Sequence, residues 1–506
     1  MQVRQHTQPQ LKLQAASRVG VSRPRTVNRH LPSVIWRIDG QFYRGVILPN
    51  DRHWTKVKEL AAEVTFPLSS EQRDYLCRGH TGFGTVAACS TVSGPVDIRA
   101  LTKAANYVVA RHEPVRMRLR ERNGELRQSF VAPGASEVTW ERVLLTTDGD
   151  VGAHATEELD RAITGPIKLK FLQRADGDVS YVMALLDHLA CDGWSSYLFL
   201  QEMWTAYRAV ARHAVPQLAP VKLPYSQYVL AQQDAAAARS DRVTAYWADR
   251  VAGFAKSATG LRRLGPPEVG RGRADLHVTI PGPYVRQARQ LAVAIGLTPN
   301  VIPLGCVLLA LWSLSDGESA GLSFIYAGRE DPRSRFLLGL FRRYVTVVTD
   351  RVPENRLDDF FRDLSRTVVQ AMWWSRPPHR ASEFEAAVAA QRSSPLADVL
   401  YNQVDTMFGQ NRADKVLDIG PQTAAGVAEE PHFSPARWRA FSEPRLRLVL
   451  RGGSCPVLQA IFNDGCVAEP EVRQFLGRIA ALLAVMSPSR ADQPVRDVVR
   501  AALGRE

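Results

Sequence analysis

The sequence predicts an α/β architecture repeated in two halves. Its 506 residues exceed what one ordinary hydrophobic core organises. Apolar or β-branched runs alternate with amphipathic helical segments from near Thr65 onward, and no short-period repeat intervenes. A polar stretch rich in Gly, Arg and Pro after Gly253 separates the two series.

Residues 1–64 read as an N-terminal extension whose polar, basic first 30 residues are expected to be flexible. Within it, residues 33–48 alternate in polarity and suit a hairpin. The first α/β region is assigned to residues 65–235. It opens at Ser69-Ser70-Glu71-Gln72, a helix start with a serine cap and early acidic charge. Residues 83–93 have strand character, and a helix then runs through Leu101 and Val108 to Arg111-His112-Glu113. Pro114 closes it, because proline lacks the N–H and clashes with the preceding turn. Asn123-Gly124 joins two strands as a hairpin turn. Residues 138–145 form a further strand, 157–163 a short helix, and 168–172 pair with 179–186 across Asp176-Gly177. Tyr197, Leu200, Trp204 and Tyr207 then recur at helical spacing, which gives one apolar face. Residues 216–224 are a linker before helices at 228–238 and 243–252.

The second region, residues 236–506, brings a strand at 276–280 and a helix stopped by Gly296. Thr298-Pro299 reads as cap and first turn of a buried helix carrying Val301, Leu304, Leu308 and Leu311. Residues 321–326 form a strand, and the β-branched run 344–348 is expected to be central in its sheet. A helix at 357–372, strands at 399–404, 446–450 and 456–462, and an amphipathic helix at 469–486 complete the chain.

Composition narrows the function. Hydrophobic content of 45% and charged content of 23% fit a water-soluble globular protein. The net charge of +13, from 64 basic and 51 acidic residues, suits an acidic partner or substrate. No zinc-finger spacing, arginine–glycine repeat or long basic helix accompanies it, so nucleic acid is not the expected partner. Six dispersed cysteines form neither a CxxC pair nor a disulfide framework. The N-terminus lacks a secretory apolar core and no run is long enough to span a bilayer, so a cytoplasmic protein, not a membrane one, is expected.

Chemistry concentrates in one turn, Asp187-His188-Leu189-Ala190-Cys191-Asp192-Gly193-Trp194-Ser195, between a buried strand and a core helix. His188 is the side chain there that ordinarily accepts a proton near neutrality. Asp192 and Gly193 fit a helix start; Asp192 would turn away to pair with an arginine, and Gly193 permits an unusual backbone conformation. Cys191, between His188 and Asp192, is a tempting nucleophile, but neighbourhood in sequence does not supply the geometry. No GxSxG elbow surrounds Ser195, no fourth ligand joins Asp187, His188 and Asp192, and neither a P-loop nor a dinucleotide fingerprint is present.

With these residues in view, the chain resembles the condensation domains of nonribosomal peptide synthetases, within the chloramphenicol-acetyltransferase-like acyltransferases. That family carries HHxxxDG, and this chain has Asp187-His188-x-x-x-Asp192-Gly193, with aspartate in place of the first histidine. Leu68-Ser69-Ser70-Glu71-Gln72-Arg73 resembles the opening motif, with Glu71 where alanine is usual. Arg111-His112-Glu113-Pro114-Val115-Arg116 is close to RHExLR, Pro224-Tyr225-Ser226-Gln227-Tyr228 to the YxDF region, and Tyr246-Trp247 through Gly253 to YWxxxLxG. Gly328-Arg329 matches a GR pair. Gly339-Leu340-Phe341 begins the segment read as GxFxNTLPLR but continues Arg342-Arg343-Tyr344-Val345-Thr346, which departs from the usual acceptor side.

The resemblance implies two acetyltransferase-like lobes, 65–235 and 236–506, in a V-shaped pseudo-dimer around a central tunnel. It implies catalytic roles for His188 as general base, Asp192 and Gly193, and a structural salt bridge from Asp192 to Arg111 or Arg116. Trp194, Arg329, Arg343, Tyr344 and Thr346 become tunnel or substrate-binding candidates. The implied reaction is amide formation between an acyl or aminoacyl thioester on a carrier protein and an amine. The enzyme would bind no cofactor or metal of its own, since the substrate arrives as a phosphopantetheine thioester on an acyl or peptidyl carrier protein. The acceptor is a small molecule or is itself carrier-bound. With no adenylation, carrier or thioesterase module in the sequence, a free-standing monomer acting in trans is expected. An ester-forming O-acyltransferase using a carrier or coenzyme A thioester is the alternative, and a degenerate condensation-fold binding protein is the non-enzymatic one.

Overall fold

The computed structural model describes residues 33–38, 41–46, 64–77, 84–93, 95–135, 138–145, 165–174, 179–256, 273–314, 318–391, 398–403, 416–418, 424–427, 445–451, 456–463 and 467–504. The basic first 30 residues and the helix expected at 157–163 lie outside them.

Strands β1 (Ser33–Ile38) and β2 (Gln41–Val46) pair as the expected antiparallel hairpin. Helix α1 (Ser70–Cys77) begins with a reciprocal cap. The Gln72 backbone N–H donates to Ser69 Oγ, and the Ser69 N–H donates to Gln72 Oε1. Helix α2 (Ile98–Arg111) is capped by Asp97 and stops short of Pro114, which opens a 3-10 turn. Beyond the short strand β3 (Phe66–Pro67), β5 (Met117–Arg122) and β6 (Glu125–Phe130) meet at Asn123 and Gly124, both with positive φ, as a two-residue hairpin demands.

The first six-stranded sheet is built around β4 (Thr85–Ser93), β9 (Val179–Asp187), β8 (Ile167–Arg174) and β7 (Trp140–Leu145), in that spatial order. Strand β9 lies between β4 and β8 and is buried on both faces. Val182, Ala184 and Leu186 enter the main core under α2 and α3 (Gly193–Ala211), whereas Met183 and Leu185 pack on the other face with Cys89, Leu145 and Leu172. That two-sided burial is why residues 181–186 are continuously apolar and do not alternate. The sheet is completed from far along the chain: β15 (Ala424–Val427) pairs with β4, and β14 (Val416–Asp418) with β15.

The second six-stranded sheet has the order β10 (Arg273–Thr279), β17 (Val457–Asn463), β16 (Arg445–Arg451), β13 (Asp398–Gln403), β11 (Ser319–Tyr326), β12 (Arg343–Asp350). Strand β12, expected to be central, stands at the end of the sheet. Its β-branched residues answer to burial beneath α8 (Leu357–Trp374) and not to pairing on both sides. Helices α6 (Gly282–Ala294), α7 (Val301–Ser313) and α10 (Glu469–Val485) cover this sheet. Thr298 does not cap α7; the helix starts at Val301, after a turn in which the Ile302 N–H donates to the Pro299 carbonyl. Helices α4 (Tyr225–Ala237), α5 (Ser240–Lys256), α9 (Ala381–Gln391) and α11 (Val495–Leu503) complete the described elements. Among the described residues no helix is long and apolar enough to cross a membrane.

One crossing matters for the site. Between β11 and β12 the chain leaves the second sheet and runs against the first lobe, where Leu338 and Leu340 are buried in the first core. Gly328 makes the departure possible. Its φ is +67°, and a Cβ there would stand 1.9 Å from the Phe341 carbonyl oxygen.

Candidate functional site

Strand β9 ends at Asp187, and one further backbone bond, from the His188 N–H to the Gly84 carbonyl at 2.8 Å, carries the ladder to the histidine. A turn follows in which the Ala190 and Cys191 N–H groups donate to the Asp187 carbonyl. The Asp187 carboxylate accepts from the Leu189 N–H at 2.8 Å, so the residue that precedes His188 shapes the turn. Burial pushes Asp187 up to about 7, opposed by that N–H.

His188 is held by its own turn. Nδ1 lies 3.0 Å from the Cys191 carbonyl oxygen, which only accepts, so Nδ1 carries the proton. Nε2 is then the lone-pair nitrogen, and the Arg342 Nε–H donates to it at 3.3 Å. The Tyr75 ring lies 5.0 Å from the imidazole between centroids. Gly84 admits this packing, because a Cβ there would fall 2.2 Å from the Tyr75 hydroxyl. The Arg342 guanidinium lies 4.7 Å from the Tyr344 ring and 5.7 Å from that of Tyr75. His188, Tyr75, Arg342 and Tyr344 therefore form one cluster.

Asp192 faces the other way. Oδ1 accepts from the Ser195 N–H at 2.9 Å, which caps α3, and from Arg329 Nη2 at 3.0 Å. Oδ2 accepts from the Phe341 N–H at 3.0 Å, while the Asp192 N–H donates to the Gly339 carbonyl. Arg329 also donates through Nη1 to the Ser334 and Leu337 carbonyls and stacks over Phe341 and Trp194, at 4.2 and 5.6 Å. The expected partners of Asp192 are thus corrected. Arg111 pairs with Glu202 at 3.2 Å, and Arg116 donates to the Val109 and Val131 carbonyls. Both lie in the RHEPVR stretch, where Glu113 instead accepts from the Ser226 N–H and hydroxyl, and His112 meets the same Glu202 at 2.9 Å. Arg329 reaches Asp192 because residues 327–342 cross between the lobes, a proximity that no local spacing encodes.

The other candidates fall around this clasp. Gly193 is the first residue of α3 and does not use the backbone freedom that glycine permits, whereas Gly328 does, with positive φ. Its position at a helix N-terminus still favours developing negative charge. Trp194 donates to the Arg335 carbonyl. Buried Arg343 forms an ion pair with the half-buried Glu330, and Thr346 bonds Ser323 across β11 and β12 at 2.9 Å. Burial raises the Glu71 carboxyl above the usual range, opposed by Arg343 and by a bond from Gln232. Burial likewise holds the Cys191 thiol well above its ordinary value, so it is no thiolate nucleophile. Among the described residues no group of three His, Cys, Asp or Glu side chains can hold a metal. Sequence reasoning misses Tyr75 and Arg342. The one signal is the Arg342-Arg343 pair, of which it selects Arg343.

A family model described as the condensation domain matches residues 65–395. The chain is 29% identical over 346 residues to a probable non-canonical nonribosomal peptide synthetase, CymA, of Salinispora arenicola, covering 60% of this chain and 4% of that protein. It is 27% identical over 296 residues to an isonitrile lipopeptide synthase of Mycobacterium tuberculosis, covering 55% and 12%. The chain thus spans a small fraction of these relatives. Among solved structures, the SgcC5 protein of Streptomyces globisporus superimposes with a TM-score of 0.67 at 16% identity, covering 85% of this chain and all of that one. The two-lobe α/β fold is shared.

Proposed function

Because the chain belongs to the condensation-domain family, we propose that it forms an amide bond between a carrier-bound acyl or aminoacyl thioester and an amine acceptor, with His188 as base. The observation that carries this is the His188 tautomer. A ring fixed through Nδ1–H to the Cys191 carbonyl offers Nε2 as a proton acceptor. In the step, the acceptor nitrogen attacks the thioester carbonyl carbon. The C–N bond forms, the C–S bond breaks, and the nitrogen's proton passes to Nε2 and then to the departing phosphopantetheine sulfur. The α3 N-terminus at Gly193 supports negative charge on the carbonyl oxygen. Asp192 touches no reacting atom; it is a positioning residue that fixes the turn through Arg329 and the Phe341 N–H. Trp194, Arg343, Tyr344 and Thr346 shape the path between the lobes on this reading. The same base serves a hydroxyl acceptor, so ester formation is the second outcome. The partner is an acidic acyl or peptidyl carrier protein, which the net charge of +13 attracts.

The test is product formation with loaded carrier proteins and a panel of amine and alcohol acceptors, comparing wild type with His188→Ala. A loss of 10²- to 10⁴-fold, on the order expected for a general base, supports the assignment. Turnover unchanged by the substitution removes it.

A further inference from the structure

Of the arginines on the segment that crosses between the lobes, Arg329, Arg342 and Arg343 are buried or half-buried, and two of these three are neutralised. Arg329 has Asp192 and Arg343 has Glu330. Arg342 is half-buried and, among the described residues, no carboxylate pairs with it. Among the described residues it meets two tyrosine rings and the lone pair of the base. Asp187, which shares the neighbourhood of Tyr75 with Arg342, is no fixed counter-charge, since burial disfavours its ionised form.

This arrangement has a chemical consequence. An Nε–H···Nε2 bond occupies the electron pair that must take the acceptor's proton, so the base is masked at rest. A guanidinium prefers a carboxylate, which accepts two parallel N–H bonds and cancels the charge, to a neutral imidazole, which does neither. We propose that Arg342 recognises a free carboxylate on a small-molecule acceptor, and that this contact draws the guanidinium off His188 and frees Nε2. The acceptor class is therefore an amine that carries its own carboxylate, such as an amino acid, and not an aminoacyl thioester, whose carboxyl is already consumed. This inference rests on His188 being the base.

The binding half is tested without turnover. The full chain is labelled with ¹⁵N-histidine, His188 is assigned by its loss in His188→Ala, and sodium acetate is titrated against sodium chloride at matched ionic strength. The expected result is a saturable shift of the His188 Nε2 resonance with acetate only. The shift should be abolished in Arg342→Gln and weaker in Arg342→Lys, which keeps charge but loses the fork. No acetate-specific shift in the wild type, or an undiminished one in Arg342→Gln, overturns the proposal. In turnover, kcat/KM for free amino acids should exceed that for their amides by about tenfold or more, a ratio collapsing towards one in Arg342→Gln; a preference that survives the substitution also overturns it. Turnover retained by His188→Ala would remove the base assignment while leaving the acetate response as an independent reading of Arg342.

Discussion

The hydrogen bond that holds His188 Nδ1 comes from its own turn, and that locality made the residue legible. The strand that delivers it, the turn carbonyl that holds Nδ1 and the helix that follows are contiguous in sequence. Asp187 is the residue whose role only the structure explains. Its carboxyl accepts from the Leu189 N–H but is buried, and its value of about 7 lies above the 3.8 ordinary for the side chain. At this group the folded state therefore binds more protons than the unfolded chain between these values, and its contribution to stability falls as pH rises through that window. Asp187→Asn keeps an acceptor for the Leu189 N–H and removes the charge. Urea unfolding at pH 5 and pH 8 should show the wild type losing stability and the Asn variant losing much less. Equal losses would mean that Asp187 is not the group responsible. Arg342 escaped sequence reasoning because an arginine beside an arginine on a strand approach carries no signal of which one faces the base.

At the scale of elements, the segment from β11 to β12 is a clasp. It leaves its own sheet at Gly328, buries Leu338 and Leu340 in the other core, and places Arg329 against Asp192. Both members of that ion pair are almost fully buried, so removing one strands the other in a dry environment. Asp192→Ala or Arg329→Ala should each cost about 3–5 kcal/mol, and the double variant should cost well under their sum. Asp192 and Arg111, which make no contact in the described network, should add independently in the same denaturant cycle. Additivity of Asp192 with Arg329 would contradict the pairing. Most helices and strands were legible from period and punctuation. The expected Thr298 cap and the central place of β12 were not, because helix covering and turn geometry set those positions.

Across the whole molecule, the second half of the chain contributes twice to the first lobe: Leu338 and Leu340 enter the first core, and β14 and β15 extend the first sheet. Such long-range closure is invisible to local pattern, which sees two α/β series and a linker. The net charge of +13 is legible, and its placement in the fold makes a kinetic statement about the proposed carrier partner. Arg239, Arg242 and Arg376 gather over Trp373 and Trp374, and mutual repulsion adds to burial in lowering Arg239. Reversing the exposed Arg242 and Arg250 to glutamate should slow association with an acidic carrier several-fold at low salt, with the difference shrinking as salt rises. Stopped-flow association rates that ignore both changes would rule out electrostatic steering by this face.

The proposed chemistry turns on His188 as the proton acceptor in acyl transfer. Single-turnover transfer from a loaded carrier protein, with carrier binding measured on the same samples, tests this most directly. The prediction is that His188→Ala binds the loaded carrier as the wild type does but transfers the acyl group at least about 100-fold more slowly, as loss of a general base requires. Transfer by His188→Ala at the wild-type rate would contradict it.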